Sequence, residues 1–283
     1  MNHKIILASL LTCCLFATFP ALSSNAAPST PATAPIVAKA KLATKTQWLS
    51  GLKEPQGMAF YGQEILIADY DAGRVLRYSR EGKLLGTLAQ GLKSPSQIVV
   101  FSKNQVFVSE RKANRVIQID KAGNITPVGQ AIEEPLGLVA AGREIFVVSH
   151  TTSKIYRFEG KKWTPIFTPA ESDRYGYRCL AYDKGTLLLS DEDNGEILML
   201  SQSGRLASWA KGIADPSGIT IGADGATYVC DEGDGGRLWR VNNIGEKTIV
   251  AEGLGRPRGV LFLDKKTILV SDRNGKVWKL VLP

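Results

Sequence analysis

Acidic or polar residues stand at nearly constant intervals along the sequence, each directly after a short apolar run. The set consists of Asp69, Glu110, His150, Asp191, Asp231 and Asp272, at steps of 40 or 41 residues. Carboxylates gathered in one place could bind a hard cation such as Ca²⁺, which prefers several oxygen ligands. A carboxylate at a strand end can instead accept hydrogen bonds from nearby backbone amides or pair with an arginine. Because six copies share the feature, we favour the structural role for the set as a whole.

Two of the turns that follow these residues carry further carboxylates. They are 191–196 (DEDNGE) and 231–236 (DEGDGG), and neither matches the complete calcium-loop pattern. We therefore interpret them as solvated turns and keep a divalent cation such as Ca²⁺ as the alternative. The candidate metal ligands are Glu54, Asp191 and Asp231.

Histidine is scarce, since His150 is the only one after His3. A zinc site built from several histidines is therefore excluded. His150 could act as a general base at a ligand site. Ser149 beside it would point to the opposite face of a strand, so the two do not form a nucleophile–base pair by being adjacent. We favour a structural role instead, in which His150 forms the hydrogen bonds that carboxylates form in the other copies.

These residues recur because the chain is built from copies of one unit. Each copy holds four short runs with strand character, which in the first copy are Met58–Phe60, Ile65–Ala68, Val75–Tyr78 and Leu84–Leu88. Four strands in about 40 residues are typical of one blade of a β-propeller. The six copies predict an all-β protein, a six-bladed β-propeller with four antiparallel strands per blade, over residues 45–283.

The ends of the chain predict how the ring closes. The last copy stops at its third strand, Val277–Leu282, whereas Lys45–Leu49 before the first copy has the character of a fourth strand. We expect this N-terminal strand to complete the last blade. Closure of this kind removes exposed strand edges, which would otherwise invite aggregation.

The fourth copy departs most from the others. Copies open with Pro-x-Gly or a relative, but the fourth has Gly176-Tyr177-Arg178 after a longer loop, 168–175. A copy that breaks the rule of its own repeat is a candidate functional site. Guanidinium groups suit carboxylates or phosphates, and tyrosine rings suit sugars, although the arginines could instead pair with the acidic residues. The predicted ligand-binding face consists of Tyr175, Tyr177, Arg178, Arg258, Gln56 and His150.

The N-terminal region predicts export. Lys4 and the apolar run Ile5–Phe19 precede small residues, so we expect a signal peptide at 1–26 and an Ala/Pro/Thr-rich linker at 27–44. A lipoprotein cysteine at Cys13 is the less favoured alternative. The mature protein would be secreted or periplasmic, with no membrane span. Its two cysteines, Cys179 and Cys230, could form one disulfide or stay as separate buried thiols.

The repeat resembles a known family. The Pro-x-Gly entry, Ile67-Ala68-Asp69 and Gly73-Arg74-Val75 resemble the NHL repeat and the wider group of six-bladed propellers that includes SMP-30/gluconolactonase and strictosidine-synthase-like proteins. The resemblance implies a ligand site at a central funnel. It also implies a metal held by a glutamate of the first blade and by Asn and Asp in later Pro-x-Gly triplets. Glu54 could stand for that glutamate, but Ser217 and Arg258 occupy the later triplets, which counts against lactonase chemistry.

The leading hypothesis is therefore an exported binding module. We expect its funnel face to recognise a small polar or anionic molecule or a partner protein, and we expect a monomer. The alternative is a metal-dependent hydrolase of the SMP-30/gluconolactonase type with an altered metal site. Nucleic acid is not expected as a partner, because the 35 Lys and Arg residues are interleaved with acidic ones and form no basic cluster.

Overall fold

The structure is a computed structural model that describes residues 41–283, apart from 103, 104, 174 and 234. The predicted signal peptide and the predicted linker up to residue 40 lie outside these residues. Within the described part of the chain, no helix has both the length and the apolar character needed to cross a bilayer.

The described chain folds into six antiparallel sheets of four strands each, which confirms the predicted six-bladed propeller. A short 3₁₀ helix, Arg111–Ala113, follows the seventh strand. In chain order the strands are β1 (Thr44–Leu49), β2 (Pro55–Tyr61), β3 (Glu64–Asp69), β4 (Arg74–Tyr78), β5 (Leu84–Gln90), β6 (Pro95–Ser102), β7 (Gln105–Glu110), β8 (Arg115–Ile119), β9 (Ile125–Val128), β10 (Pro135–Ala141), β11 (Glu144–Ser149), β12 (Ile155–Glu159), β13 (Lys162–Phe167), β14 (Tyr177–Asp183), β15 (Thr186–Asp191), β16 (Glu196–Leu200), β17 (Leu206–Lys211), β18 (Pro216–Ile221), β19 (Thr227–Asp231), β20 (Arg237–Val241), β21 (Lys247–Ala251), β22 (Pro257–Phe262), β23 (Thr267–Asp272) and β24 (Lys276–Val281).

The hydrophobic core lies between neighbouring blades. Leu66 and Ala68 of the first blade pack in one cluster with Ile98, Val106 and Ile117 of the second. Both faces of a central strand are covered in this way, which explains why β3 and β7 are continuous apolar runs rather than alternating ones. Each fully buried Ile, Leu or Val contributes about 1.5–3 kcal/mol. The blades therefore depend on their neighbours for stability.

Strand β1 closes the ring, as the sequence predicts. It pairs antiparallel with β24 and completes the sheet β1-β24-β23-β22. It is also tied to the fifth blade, because the amide of Ala43 donates to the carbonyl of Val250 at 2.8 Å. Lys45 Nζ donates to the carbonyls of Glu252 and Gly253 at 3.0 and 2.6 Å. The first and last segments of the chain are thus held together by backbone pairing and one cation.

We expect Lys45→Met to destabilise the closure. The substitution removes both carbonyl contacts with Glu252 and Gly253 and the placement of Nζ 4.9 Å from the centre of the Trp278 ring. Because the site is exposed, the expected loss is about 1 kcal/mol in the free energy of unfolding, measured by urea denaturation. Lys265→Met, in an exposed turn, is the control and should change little. Equal effects of the two substitutions would contradict a latching role for Lys45.

The pairing of the first two strands of each blade sets the register and corrects two sequence predictions. Pro55 pairs with Asp69, and the equivalent pairs are Pro135 with Ser149 and Tyr177 with Asp191. The third copy therefore places Ser149, not His150, at the strand end. The fourth copy matches Pro-x-Gly with Tyr177-Arg178-Cys179 rather than with Gly176-Tyr177-Arg178. Backbone pairing shows which residues of different blades occupy the same position. Sequence spacing does not, because a difference in loop length shifts the count by a residue.

The glycine of Pro-x-Gly lets the innermost strands approach closely. A Cβ on Gly218 would lie 2.2 Å from the carbonyl oxygen of Arg258, and one on Gly259 would lie 2.2 Å from that of Gln56. Cys179 takes this position in the fourth blade. Its thiol and that of Cys230 are free and buried, and burial raises the pKa of both.

Candidate functional site

The residue after each proline, or after Tyr177 in the fourth blade, lines a central channel. We name these residues the inner ring, and they are Gln56, Ser96, Leu136, Arg178, Ser217 and Arg258. The channel encloses about 30 Å³, room for one or two water molecules. The structure therefore brings together three predicted site residues, Gln56, Arg178 and Arg258.

The residue after each of these strand ends forms a second ring, of which sequence reasoning identified only His150. Each of its amides donates to the carbonyl of the residue before the inner strand, as His150 does to Glu134 at 3.0 Å and Glu232 does to Asp215 at 2.9 Å. We name it the outer ring: Tyr70, Arg111, His150, Glu192, Glu232 and Arg273. The sequence does mark this ring: one residue after each strand end, the residue type changes from blade to blade, whereas the strand end itself is nearly constant.

The strand-end acids themselves hold the loops together. Asp69 is fully buried, and its Oδ1 accepts hydrogen bonds from the amides of Lys53 and Glu54 at 2.9 and 3.0 Å. The metal candidates have comparable partners. Asp191 Oδ1 accepts from the amide of Gly176 at 2.9 Å, and burial raises the pKa of this carboxyl. Asp231 Oδ1 accepts from the amide of Asp215 at 2.9 Å. This geometry matches the structural role favoured for the set.

The fourth, fifth and sixth blades give the funnel a sector of opposite charges. Arg178 pairs with Glu192, Arg258 Nε lies 2.5 Å from Glu232 Oε1, and Arg273 Nε lies 3.0 Å from Glu54 Oε1. Burial, helped by the charge of Arg258, lowers the pKa of Arg178 to about 10. Burial likewise raises the pKa of Glu232. The charged groups are poorly solvated because the side chains of Arg258 and Glu232 are almost completely buried.

Several polar atoms of this sector lack a hydrogen-bond partner although they are buried. They are both carboxylate oxygens of Glu232, Arg258 Nε and Asp215 Oδ1. The contact between Glu232 and Arg258 is close, yet it does not have hydrogen-bond geometry. Buried polar groups in folded proteins are nearly always satisfied by protein, water or ligand. The unsatisfied set therefore marks the place where a bound molecule would gain the most.

His150 stands at the edge of the same funnel with its ring oriented by the backbone. Its Nδ1 lies 3.3 Å from the carbonyl oxygen of Tyr177, and its Nε2 lies 3.6 Å from Glu192 Oε1. Burial, followed by the positive charge of Arg111, lowers the pKa of His150. This shift favours the neutral imidazole, in which Nδ1–H donates to the carbonyl of Tyr177.

We expect the single imidazole of the described chain to titrate below the ordinary histidine pKa of about 6.5. Because the unfolded chain takes up the proton first, His150 should make the protein less stable as the pH falls from about 6.5 to the folded pKa. NMR of the imidazole C–H signals measures the pKa. Arg111→Gln removes a nearby positive charge and should raise it, whereas Arg240→Gln on an outer strand should not. A His150 pKa at or above 6.5 would contradict the assignment.

A polar cleft of about 490 Å³ adjoins the funnel on the side of the long loop. His150, Ser153 and Tyr175 are among the residues that line it. Tyr177 is not: its side chain is fully buried, with its ring stacked 5.0 Å from that of Tyr175. The expectation that Tyr177 contacts a ligand is thus corrected. In the position of the proline, its ring points into the core between blades. Arg174, within the same loop, lies outside the described residues.

The positions that the resemblance assigns to a metal do not suit a divalent cation here. Glu54 Oε1 already contacts Arg273 Nε at 3.0 Å and accepts a hydrogen bond from the side-chain Nε2 of Gln56 at 3.0 Å. Ser217 Oγ donates to the carbonyl of Pro257 at 2.7 Å, and the third position is the cation Arg258. The described residues also contain no cluster of three or more His, Cys, Asp or Glu that could hold a metal.

The comparisons with known proteins show the fold. No family model and no curated protein matches the chain. A gluconolactonase from Xanthomonas campestris superimposes with a TM-score of 0.72 and 16% identity over 85% of this chain and 90% of that chain. A virginiamycin B lyase from Staphylococcus aureus gives 0.64 and 17% over 85% and 99%. A protein of unknown function from Bacteroides thetaiotaomicron gives 0.69 and 16% over 87% and 73%. The chain is therefore similar in fold to these solved proteins, and at these identities the likeness extends no further.

Proposed function

We propose that this protein binds a small polar or anionic molecule in its central funnel. The observation that carries the proposal is the set of buried, unsatisfied polar atoms around Arg258 and Glu232. Their side chains are only 6% and 0% exposed. A flat protein surface would not reach them, so a small molecule is favoured over a partner protein. Export to the periplasm or the outside of the cell, expected from the sequence, would place the funnel where small solutes are encountered.

The metal-dependent hydrolase is the less favoured function. In that chemistry a cation must polarise the substrate, but the carboxylates of the funnel are paired with arginines, whose charge opposes a divalent cation. The fold does not distinguish a binding protein from a hydrolase, because one fold can serve binding and catalysis alike. Two of the structural neighbours are named as enzymes, but those names apply to the neighbours and not to this chain.

A binding screen tests the proposal. We expect a panel of small carboxylates, amino acids and neutral sugars to contain ligands that raise the melting temperature, confirmed by calorimetry. Arg178→Gln should weaken the best ligand at least about tenfold, equivalent to about 1.4 kcal/mol. Arg240→Gln is the matched control, because Arg240 pairs with Asp224 on the outer side of the fifth blade.

Two results would count against the proposal. One is a ligand whose affinity is equal in Arg178→Gln and in the wild type, since it would bind elsewhere. The other is hydrolysis of a lactone that stops on chelation and returns with Ca²⁺, which would favour the hydrolase. Under the binding proposal, affinity is unchanged by a chelator.

A further inference from the structure

The charged sector of the funnel holds both signs of charge within one small space. Glu232 of the fifth blade is electrostatically coupled to Arg178 of the fourth blade and Arg258 of the sixth. Asp215 adds a second carboxylate to the same group. Arg258 Nε and Glu232 Oε1 are 2.5 Å apart, so a positive and a negative group are in direct contact.

The unsatisfied atoms are of both kinds as well. Arg258 Nε is a donor, whereas both oxygens of Glu232 and Oδ1 of Asp215 are acceptors. A purely anionic ligand would satisfy the arginine and place its charge against two carboxylates. A purely cationic ligand would do the reverse. Either would bring a single charge against buried groups of the same sign with nothing to offset it, which is costly.

We propose, on the basis of the proposed funnel function, that the ligand is a zwitterion of the α-amino-acid class. Its carboxylate contacts the guanidinium groups of Arg178 and Arg258, and its ammonium group contacts Glu232 and Asp215. The contact between Arg258 and Glu232 requires the two ligand charges to be only a few bonds apart, as they are in an α-amino acid.

The size of the channel limits how much of the ligand it can hold. A space of about 30 Å³ accepts one small charged group, the ligand carboxylate between Arg178 and Arg258, and nothing larger. The side chain of the amino acid therefore extends outward into the funnel, past the outer ring. Tyr70, Arg111 and His150 form the part of that ring opposite the charged sector and are the residues that would meet it.

Calorimetry with alanine, propionate and ethylamine tests the charge requirement on the wild-type protein. Alanine carries both charges, and the other two compounds each carry one. We expect alanine to bind at least about tenfold more tightly than either single-charge analogue. This comparison needs no substitution, so it is independent of any effect on folding.

Substitutions then assign each charge. Glu232→Gln keeps the shape of the side chain and should weaken alanine about tenfold while leaving propionate unchanged or stronger. Arg258→Gln should weaken both compounds. Glu252→Gln, at an exposed pair with Arg237, is the control, and a thermal melt establishes that each variant is folded.

The outcomes separate the two proposals. Propionate binding as tightly as alanine, with equal effects of Arg258→Gln on both, would overturn the zwitterion and leave the funnel function intact. Binding of neutral sugars alone, still sensitive to Arg178→Gln, would do the same. Absence of binding by every compound of the wider panel would overturn both proposals.

Discussion

A chain that lacks residues 1–50 should fail to form a stable propeller. The deletion removes β1, so β24 would become an open edge with its backbone donors and acceptors unpaired. It also uncovers the hydrophobic cluster to which Trp48 and Leu49 contribute. We expect loss of the cooperative thermal transition and aggregation, because exposed edges pair with other chains.

A shorter truncation provides the control for this result. A chain that begins at residue 41 keeps β1 together with the Lys45 contacts, and it should melt cooperatively. A peptide of residues 41–51 added to the longer truncation should restore part of the transition if β24 is the docking edge. A cooperative, monomeric propeller without β1 would show that closure is not required for stability.

Replacement of the first strand-end acid, Asp69→Ala, should cost about 3–5 kcal/mol in the free energy of unfolding. The substitution leaves the buried amide of Glu54 and the amide of Lys53 without their acceptor and takes the partner from Arg74. Unsatisfied buried donors are costly, and so is a guanidinium left without its carboxylate. Urea denaturation measures the loss.

The matched variants for this position are Asp69→Asn and Asp71→Ala. Asparagine keeps an acceptor oxygen for the amides but loses the charge toward Arg74, so its cost should be intermediate. Asp71 is exposed in the following turn, and its loss should change stability by less than about 0.5 kcal/mol. An Asp69→Ala protein as stable as Asp71→Ala would show that the strand-end acids do not hold the loops.

The sequence alone predicts much of the architecture, because a blade is a local object. Its turns, its apolar central strand and its entry proline all fall within one period, so self-comparison finds them without any knowledge of the tertiary structure. The same comparison indicates that one strand is missing from the last copy. The pairing of β1 with β24 follows from that count.

The site was only partly predictable, and the errors have one cause. The repeat identifies equivalent positions to within one residue, and one residue in a strand separates a buried side chain from a funnel-facing one. His150 aligns with the strand-end acids in the sequence for this reason, although Ser149 holds that position, and Tyr177 aligns with a funnel position although it is fully buried. Glu192 and Glu232 were passed over as members of solvated turns.

The sequence by itself determined the six blades, their closure and the presence of arginines in the fourth and sixth copies. Only the tertiary structure decided which charges meet. Arg178, Glu232 and Arg258 belong to three different blades and become neighbours because the propeller brings the inner-ring and outer-ring positions of its blades to one axis. Glu54 and Arg273 lie near opposite ends of the chain and meet because the ring closes. Pairwise electrostatics falls off with distance in space, not along the sequence, so the chemistry of the funnel emerges only when the blades are assembled.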